Sequence, residues 1–269
     1  MSDNKEMSFL QHLEALRWHL IRGTIAIIVL SVLAFIFKRI VFDVIIFAPS
    51  RPEFWTNVKL CRLSEILNMP TLCINQVPLQ IKNIAMSGQF TIHLWVSFMA
   101  GVILGFPYLF WEIWRFIQPA LYEKEARHSK GAIMVVSILF FVGVLFGYYI
   151  ISPMSISFFA NYQVSPDVPN EITVSSYIST VSSIVLSAGV LFELPVFIFF
   201  LAKVGIVSSN FLRKYRKHAV VIVVTLAAII TPPDVFSQLL ISVPMLLLYE
   251  ASIVIAKRME NKREKEMTN

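Results

Sequence analysis

Charge is what this sequence has least of. Asp, Glu, Lys and Arg make up 15% of its 269 residues, where a soluble domain carries about 25%. Acids are the scarcer sign, 17 against 23 basic residues. Cysteine is scarcer still: Cys61 and Cys73 are too few for a scaffold built on disulfides. Recognisable catalytic motifs are missing as well. No Gly-x4-Gly-Lys-Ser/Thr run occurs, so there is no P-loop to cradle a nucleotide phosphate. No His-Glu-x-x-His occurs, and the five histidines (His12, His19, His93, His128, His218) are scattered. His12 and His19 can share a helix face, but with only Glu14 nearby they read as surface residues rather than metal ligands. Ser182, Ser183 and Ser187 have no histidine in their own segment to act as a base. The expectation is no enzyme, no metal and no cofactor.

What is present is apolar. Hydrophobic residues make up 57% of the chain, 22 of them Phe, which excludes a disordered chain. The net charge of +6 does not call for nucleic acid, because a basic groove needs a soluble scaffold. A polytopic membrane protein with its basic residues in loops accounts for both facts.

A helix needs about 20 apolar residues to cross a hydrocarbon core. Six candidate spans fit, at about 20–38, 89–112, 131–152, 177–202, 218–231 and 235–256. The expected fold class is all-α, a single integral membrane domain over 1–269 with six transmembrane helices, the last two short. The fifth rises only about 20 Å before Pro232 and Pro233 end it. Only the first fifteen residues of the sixth are uncharged before Glu250. The first nineteen residues are polar and amphipathic, with no apolar core of a cleavable signal, so the first span is expected to stay as an anchor.

Lys and Arg fall unevenly between these spans. The N-terminal tail, the loop before the third span, the loop before the fifth and the C-terminal tail together hold seventeen of the 23. The remaining six are Lys38 and five in the loop 39–88 that follows it. The positive-inside bias places both termini in the cytoplasm and the loop 39–88 outside. That loop carries Cys61 and Cys73, with eleven residues between them. In an oxidising compartment a bridge between them is one reading, contributing about 3 kcal/mol in the chain-entropy model. Two free thiols are the other. The tail 257–265 mixes bases and acids and reads as a solvated anchor at the lipid surface.

Gly101/Gly105 and Gly143/Gly147 are Gly-x3-Gly pairs, which let helices approach closely. Internal packing is the expected use. Glu193 lies inside the fourth span, where an acid costs about 2.5–3.5 kcal/mol on insertion scales. It either meets a polar group inside the bundle or has a functional role. Pro195 is expected to kink the helix beside it.

Three segments carry unusual information: His12-Leu13-Glu14-Ala15-Leu16-Arg17, Phe116-Ile117-Gln118-Pro119-Ala120-Leu121-Tyr122-Glu123-Lys124-Glu125, and Thr231-Pro232-Pro233-Asp234-Val235-Phe236-Ser237-Gln238. With Ala48-Pro49 and Phe192-Glu193-Leu194-Pro195, they make the chain resemble the TatC family, the multispanning core of the twin-arginine protein translocase. The resemblance covers essentially the whole chain. It implies a bacterial inner-membrane protein that binds Arg-Arg signal peptides of folded passenger proteins at the cytoplasmic face. It also implies assembly into an oligomeric complex with single-span TatA/TatB-type subunits, and export driven by the proton-motive force.

By the same resemblance, Glu125 contacts the signal arginines and Phe116 lies beside that site. Arg17 shapes the site or holds a carboxylate. Glu193 meets a polar group of a partner's helix, Pro49 is structural, and Asp234 is an extracytoplasmic acid. Physical chemistry agrees in outline. A guanidinium pair seeks carboxylates through bidentate, charge-assisted hydrogen bonds that lysine cannot reproduce. The plainer alternative pairs Glu125 with Lys124, Arg127 or Lys130 in a solvated loop. For Asp234, capping the start of the last span is the preferred physical account, beside a turn set by Pro232 and Pro233.

One departure stands out. The family pattern His-Leu-x-Glu-Leu-Arg has its glutamate where this chain has Ala15. Glu14 is about 100° away around a helix and is not a simple substitute. The second carboxylate is therefore Glu14, or Glu123, or missing, with recognition left to Glu125 alone. A competing function is a proton-coupled secondary transporter of a small solute, using Glu193. Such transporters repeat their interrupted spans in both halves, whereas the short spans here are both in the second half.

Overall fold

The computed structural model describes residues 9–69, 73–74, 79–117, 129–168, 170–230 and 235–268. In chain order the helices are α1 (Phe9–Ile36), α2 (Trp55–Leu67), α3 (Gly88–Ile117), α4 (Ser129–Phe146), α5 (Ser152–Asn161), α6 (Val174–Phe192), α7 (Leu194–Val204), α8 (Ser209–Lys214), α9 (Arg216–Ile230) and α10 (Val235–Thr268). A π-helical turn, Gly147–Ile151, joins α4 to α5 as one continuous rod. Among the described residues, strand is confined to β1 (Ile81–Lys82) and β2 (Ile172–Thr173), a parallel pair with Ile81 opposite Ile172. The protein is all-α and built to span a membrane. Among the described residues, five helical stretches are long and apolar enough to do so alone: Glu14–Ile36, Gly88–Phe116, Ile133–Asn161, Val174–Ala202 and Gln238–Asn261.

The chain divides into two compact units, one of residues 1–42 with 89–138 and the other of 43–88 with 139–269. In the first, α1 and α3 run antiparallel along a seam that glycine permits. Gly23 faces Leu109, Gly105 faces Ile27, and Gly101 lies against the Ser31 side chain and the Ile27 carbonyl. Further along, His93 stacks on Phe35 at 3.8 Å and its Nε2 lies 3.0 Å from the Phe35 carbonyl.

The second unit packs α6, α9 and α10 around Ile151, Ile184, Ala188, Val223, Ala227, Ile241 and Met245. Gly143 and Gly147 of the α4–α5 rod press against Ala188 and Gly189 of α6. Both glycine pairs thus serve internal packing. The kink expected at Pro195 is a one-residue interruption at Glu193 between α6 and α7, since the proline supplies no N–H to the ladder.

The last helices differ from expectation in one respect. α9 is short, with 15 residues. α10 is not: it runs 34 residues, well past Ala256. Charge alone gives no stop signal, and the helix finds partners as it leaves its apolar stretch. Arg216 donates to Glu250 at 2.6 Å. Glu260 accepts from the Ser209 backbone N–H at 2.8 Å and from its hydroxyl at 2.5 Å, satisfying orphan donors in the first turn of α8.

The segment between α1 and α3 is folded rather than an open loop. The turn Ala48–Ser50 buries Pro49, and Asn57 donates to the Arg51 carbonyl at 2.8 Å. Tyr177 donates to the Ile46 carbonyl at 2.8 Å, and Thr56 to that of Tyr149. α2 ends on Asn68 at φ 51°, a left-handed position that asparagine tolerates. Cys61 and Cys73 are joined by a disulfide.

Lys82 donates to Glu171 at 2.7 Å across the β pair. The Lys82 ammonium, by hydrogen bond and charge, lowers the Glu171 carboxyl from its ordinary value. The link is therefore present at neutral pH and is lost as pH falls below the ordinary carboxylate range. The protection of the Ile81 and Ile172 amides against hydrogen exchange, measured relative to their intrinsic rates, should fall on acidification below about pH 4. The Lys82→Met protein, lacking the link, should show no such step.

Candidate signal-peptide site

The residues singled out by sequence fall on different elements. Glu14 and Arg17 are exposed on α1, and Ala15 is half-buried on the same turn. Phe116 is half-buried in the last turn of α3. Glu123 and Glu125 lie outside the described residues, as do Pro232, Pro233 and Asp234. The structure therefore brings Phe116 and the α1 motif region into one unit.

What it adds is a buried polar cluster where α1 and α3 face one another. His19 donates from Nδ1 to Glu112 Oε2 at 2.5 Å, and Tyr108 donates to Glu112 Oε1 at 2.9 Å. Glu112 is only 1% exposed. Phe116, one turn further along α3, meets the His19 ring edge-on at 6.2 Å. His19 is thus no surface histidine, contrary to expectation: the antiparallel seam turns it onto α3, where its imidazole supplies a donor to a carboxylate that burial would otherwise leave costly. Arg115 is turned away to Trp111, its guanidinium 4.9 Å from the ring centroid. No group of three or more metal-ligating side chains exists among the described residues.

Glu112 escapes sequence reading because it stands at the end of an uncharged run, where an acid marks the boundary of a span. The available signal was its spacing: an acid four residues before Phe116 is on the same helix face.

Glu193 is half-buried at the α6–α7 break. Its Oε1 has no hydrogen-bond partner among the described residues.

A multispanning membrane protein of the all-α class, with one buried acid, Glu112, held by His19 and Tyr108 beside Phe116, is what the fold and the site define. The family model of the Sec-independent protein translocase protein (TatC) matches residues 11–244. A Sec-independent protein translocase protein TatC from Blattabacterium sp. subsp. Periplaneta americana is 39% identical over 264 residues, 97% of this chain and 99% of that one. The TatC protein of Desulforapulum autotrophicum is 35% identical, over 99% of this chain and 90% of that one. A crystal structure described as the twin arginine translocase receptor TatC superposes with a TM-score of 0.68 at 31% identity, over 93% of this chain and 99% of that one. The chain belongs to the TatC family and is a subunit of the twin-arginine protein translocase. That membership displaces the solute transporter as a reading.

Proposed function

We propose that this subunit is the core and the signal-peptide receptor of the translocase. It binds Arg-Arg signal peptides of folded passenger proteins at the cytoplasmic face of the bacterial inner membrane, with both of its own termini on that side. Glu125 takes the arginines, Phe116 lines the site, and Arg17 and Glu14 flank it. The observation that carries this reading is the position of Phe116. It ends a membrane-spanning helix, with α1 beside it and the acid-bearing motif immediately following in sequence. The related solved protein described as a receptor supports the same reading. A photoreactive side chain placed at 125 should capture an Arg-Arg signal peptide and capture a Lys-Lys peptide poorly. Equal capture of both would remove the assignment.

Glu193 is the contact for a single-span partner subunit in the membrane. Its support is a half-buried carboxylate with an oxygen left free, which a low-dielectric setting penalises until a partner donates to it. Glu193→Ala should leave signal-peptide binding unchanged and reduce recovery of the partner with the purified complex by about tenfold. Undiminished recovery makes Glu193 a residue of the bundle alone. Export by the assembled complex draws on the proton-motive force.

A further inference from the structure

The missing glutamate at Ala15 leaves the arginine site one carboxylate short, and the seam between α1 and α3 shows where another is held. Contacts run in register from Ser31 against Gly101, through Ile27 at Gly105 and Gly23 at Leu109, to His19 at Glu112. One more turn brings Ala15 to the level of Phe116. Ala15 and His19 share a face of α1, and Glu112 and Phe116 share a face of α3. The side chain at 15 is a methyl, so position 15 itself supplies no charge to the face turned toward α3. One turn deeper, about 6 Å along the axis, Glu112 supplies one.

We infer that Glu112 is the second carboxylate of the arginine site in this chain, closed by His19 until a signal arginine displaces the imidazole. This rests on the receptor reading above. Three observations support it. Glu112 is 1% exposed but its cover is not sealed, since the His19 side chain remains 18% exposed. Tyr108 holds the other carboxylate oxygen at 2.9 Å, so Oε2 can change partners without leaving the acid bare. The nearby cations do not occupy it: Arg115 sits over Trp111, and Arg22 is exposed on α1. A guanidinium is planar, carries its charge at any relevant pH and offers several donors. It therefore outcompetes a single imidazole N–H for the same oxygen. A buried acid paired to a histidine is also weak as a purely stabilising device, which leaves room for a binding role.

The test is binding of fluorescent Arg-Arg and Lys-Lys signal peptides to the full chain in lipid nanodiscs. Glu112→Gln keeps the shape and hydrogen-bonding capacity of the side chain but removes its charge. It should weaken the Arg-Arg peptide about tenfold and leave the Lys-Lys peptide nearly unchanged. His19→Ala uncovers the acid and should tighten the Arg-Arg peptide about threefold to tenfold. These opposite signs distinguish an exchange site from a structural clamp. If both variants weaken both peptides, or if Glu112→Gln changes neither, the inference is overturned. A photoreactive side chain at 19 gives a second reading that does not depend on His19→Ala folding: it should capture the arginine segment, and no capture overturns the inference. Glu125→Ala is measured in parallel. If that protein binds normally, the receptor reading itself fails; if only Glu112→Gln binds normally, the failure belongs to this inference.

Discussion

Glu125→Arg should abolish binding of Arg-Arg signal peptides and stop export, while the protein still inserts and assembles. The substitution removes the acceptor of a charge-assisted pair and puts a like charge in its place. Truncating one partner of a desolvated charge pair costs about 2–5 kcal/mol, and adding a repelling cation deepens the loss. A fall in affinity of at least about a hundredfold is therefore expected. Glu125→Gln, which keeps the shape without the charge, should fall in between. Raising salt should weaken the unmodified protein's binding, because a pair at the membrane surface is partly screened. Solvated pairing of Glu125 with its neighbours Lys124, Arg127 and Lys130 predicts none of this selectivity for arginine.

Gly101→Val should separate α1 from α3. A Cβ at 101 would meet the Ile27 carbonyl at 2.7 Å and the Ser31 backbone nitrogen at 2.8 Å. Those atoms belong to a helix backbone and cannot rotate away. Overpacking a well-filled site costs about 1–3 kcal/mol when side chains can adjust, and more where backbone is struck. The melting temperature in detergent should drop by several degrees. Peptide binding should fall with it, because Ala15, His19, Glu112 and Phe116 all depend on this seam. Gly131→Ala, where an added Cβ meets nothing within 4 Å, is the matched control and should be silent. An unchanged melting curve for Gly101→Val would mean that the seam does not hold the unit together.

The parts of this fold that were legible in the sequence are those set by local composition. The apolar runs located the long helices, and Pro232-Pro233 marked the brevity of α9. The Gly-x3-Gly pairs marked two close helix contacts without naming the partners. What escaped depends on residues far apart in the chain. The parallel pairing of Ile81 with Ile172 leaves no periodic trace in two residues. α10 continues past its apolar stretch because Ser209 and Arg216, from other helices, meet Glu260 and Glu250. His19 and Glu112 are 93 positions apart, and each alone looks like a boundary residue of its span. Only the antiparallel seam pairs them. The motif residues of the proposed site were named by resemblance, and Glu125 among them lies outside the described residues. The replacement at Ala15 was visible too, but the acid one turn away on the facing helix was not.

The most direct measurement of the central claim is the affinity of the intact protein, in lipid nanodiscs, for two signal peptides that differ only in Arg-Arg against Lys-Lys. The account predicts that the Arg-Arg peptide binds at least about tenfold tighter, that Glu125→Ala sharply reduces the difference, and that Glu125→Ala combined with Glu112→Gln erases it. Equal affinity for both peptides in the unmodified protein, or a preference left unchanged by Glu125→Ala, would contradict it.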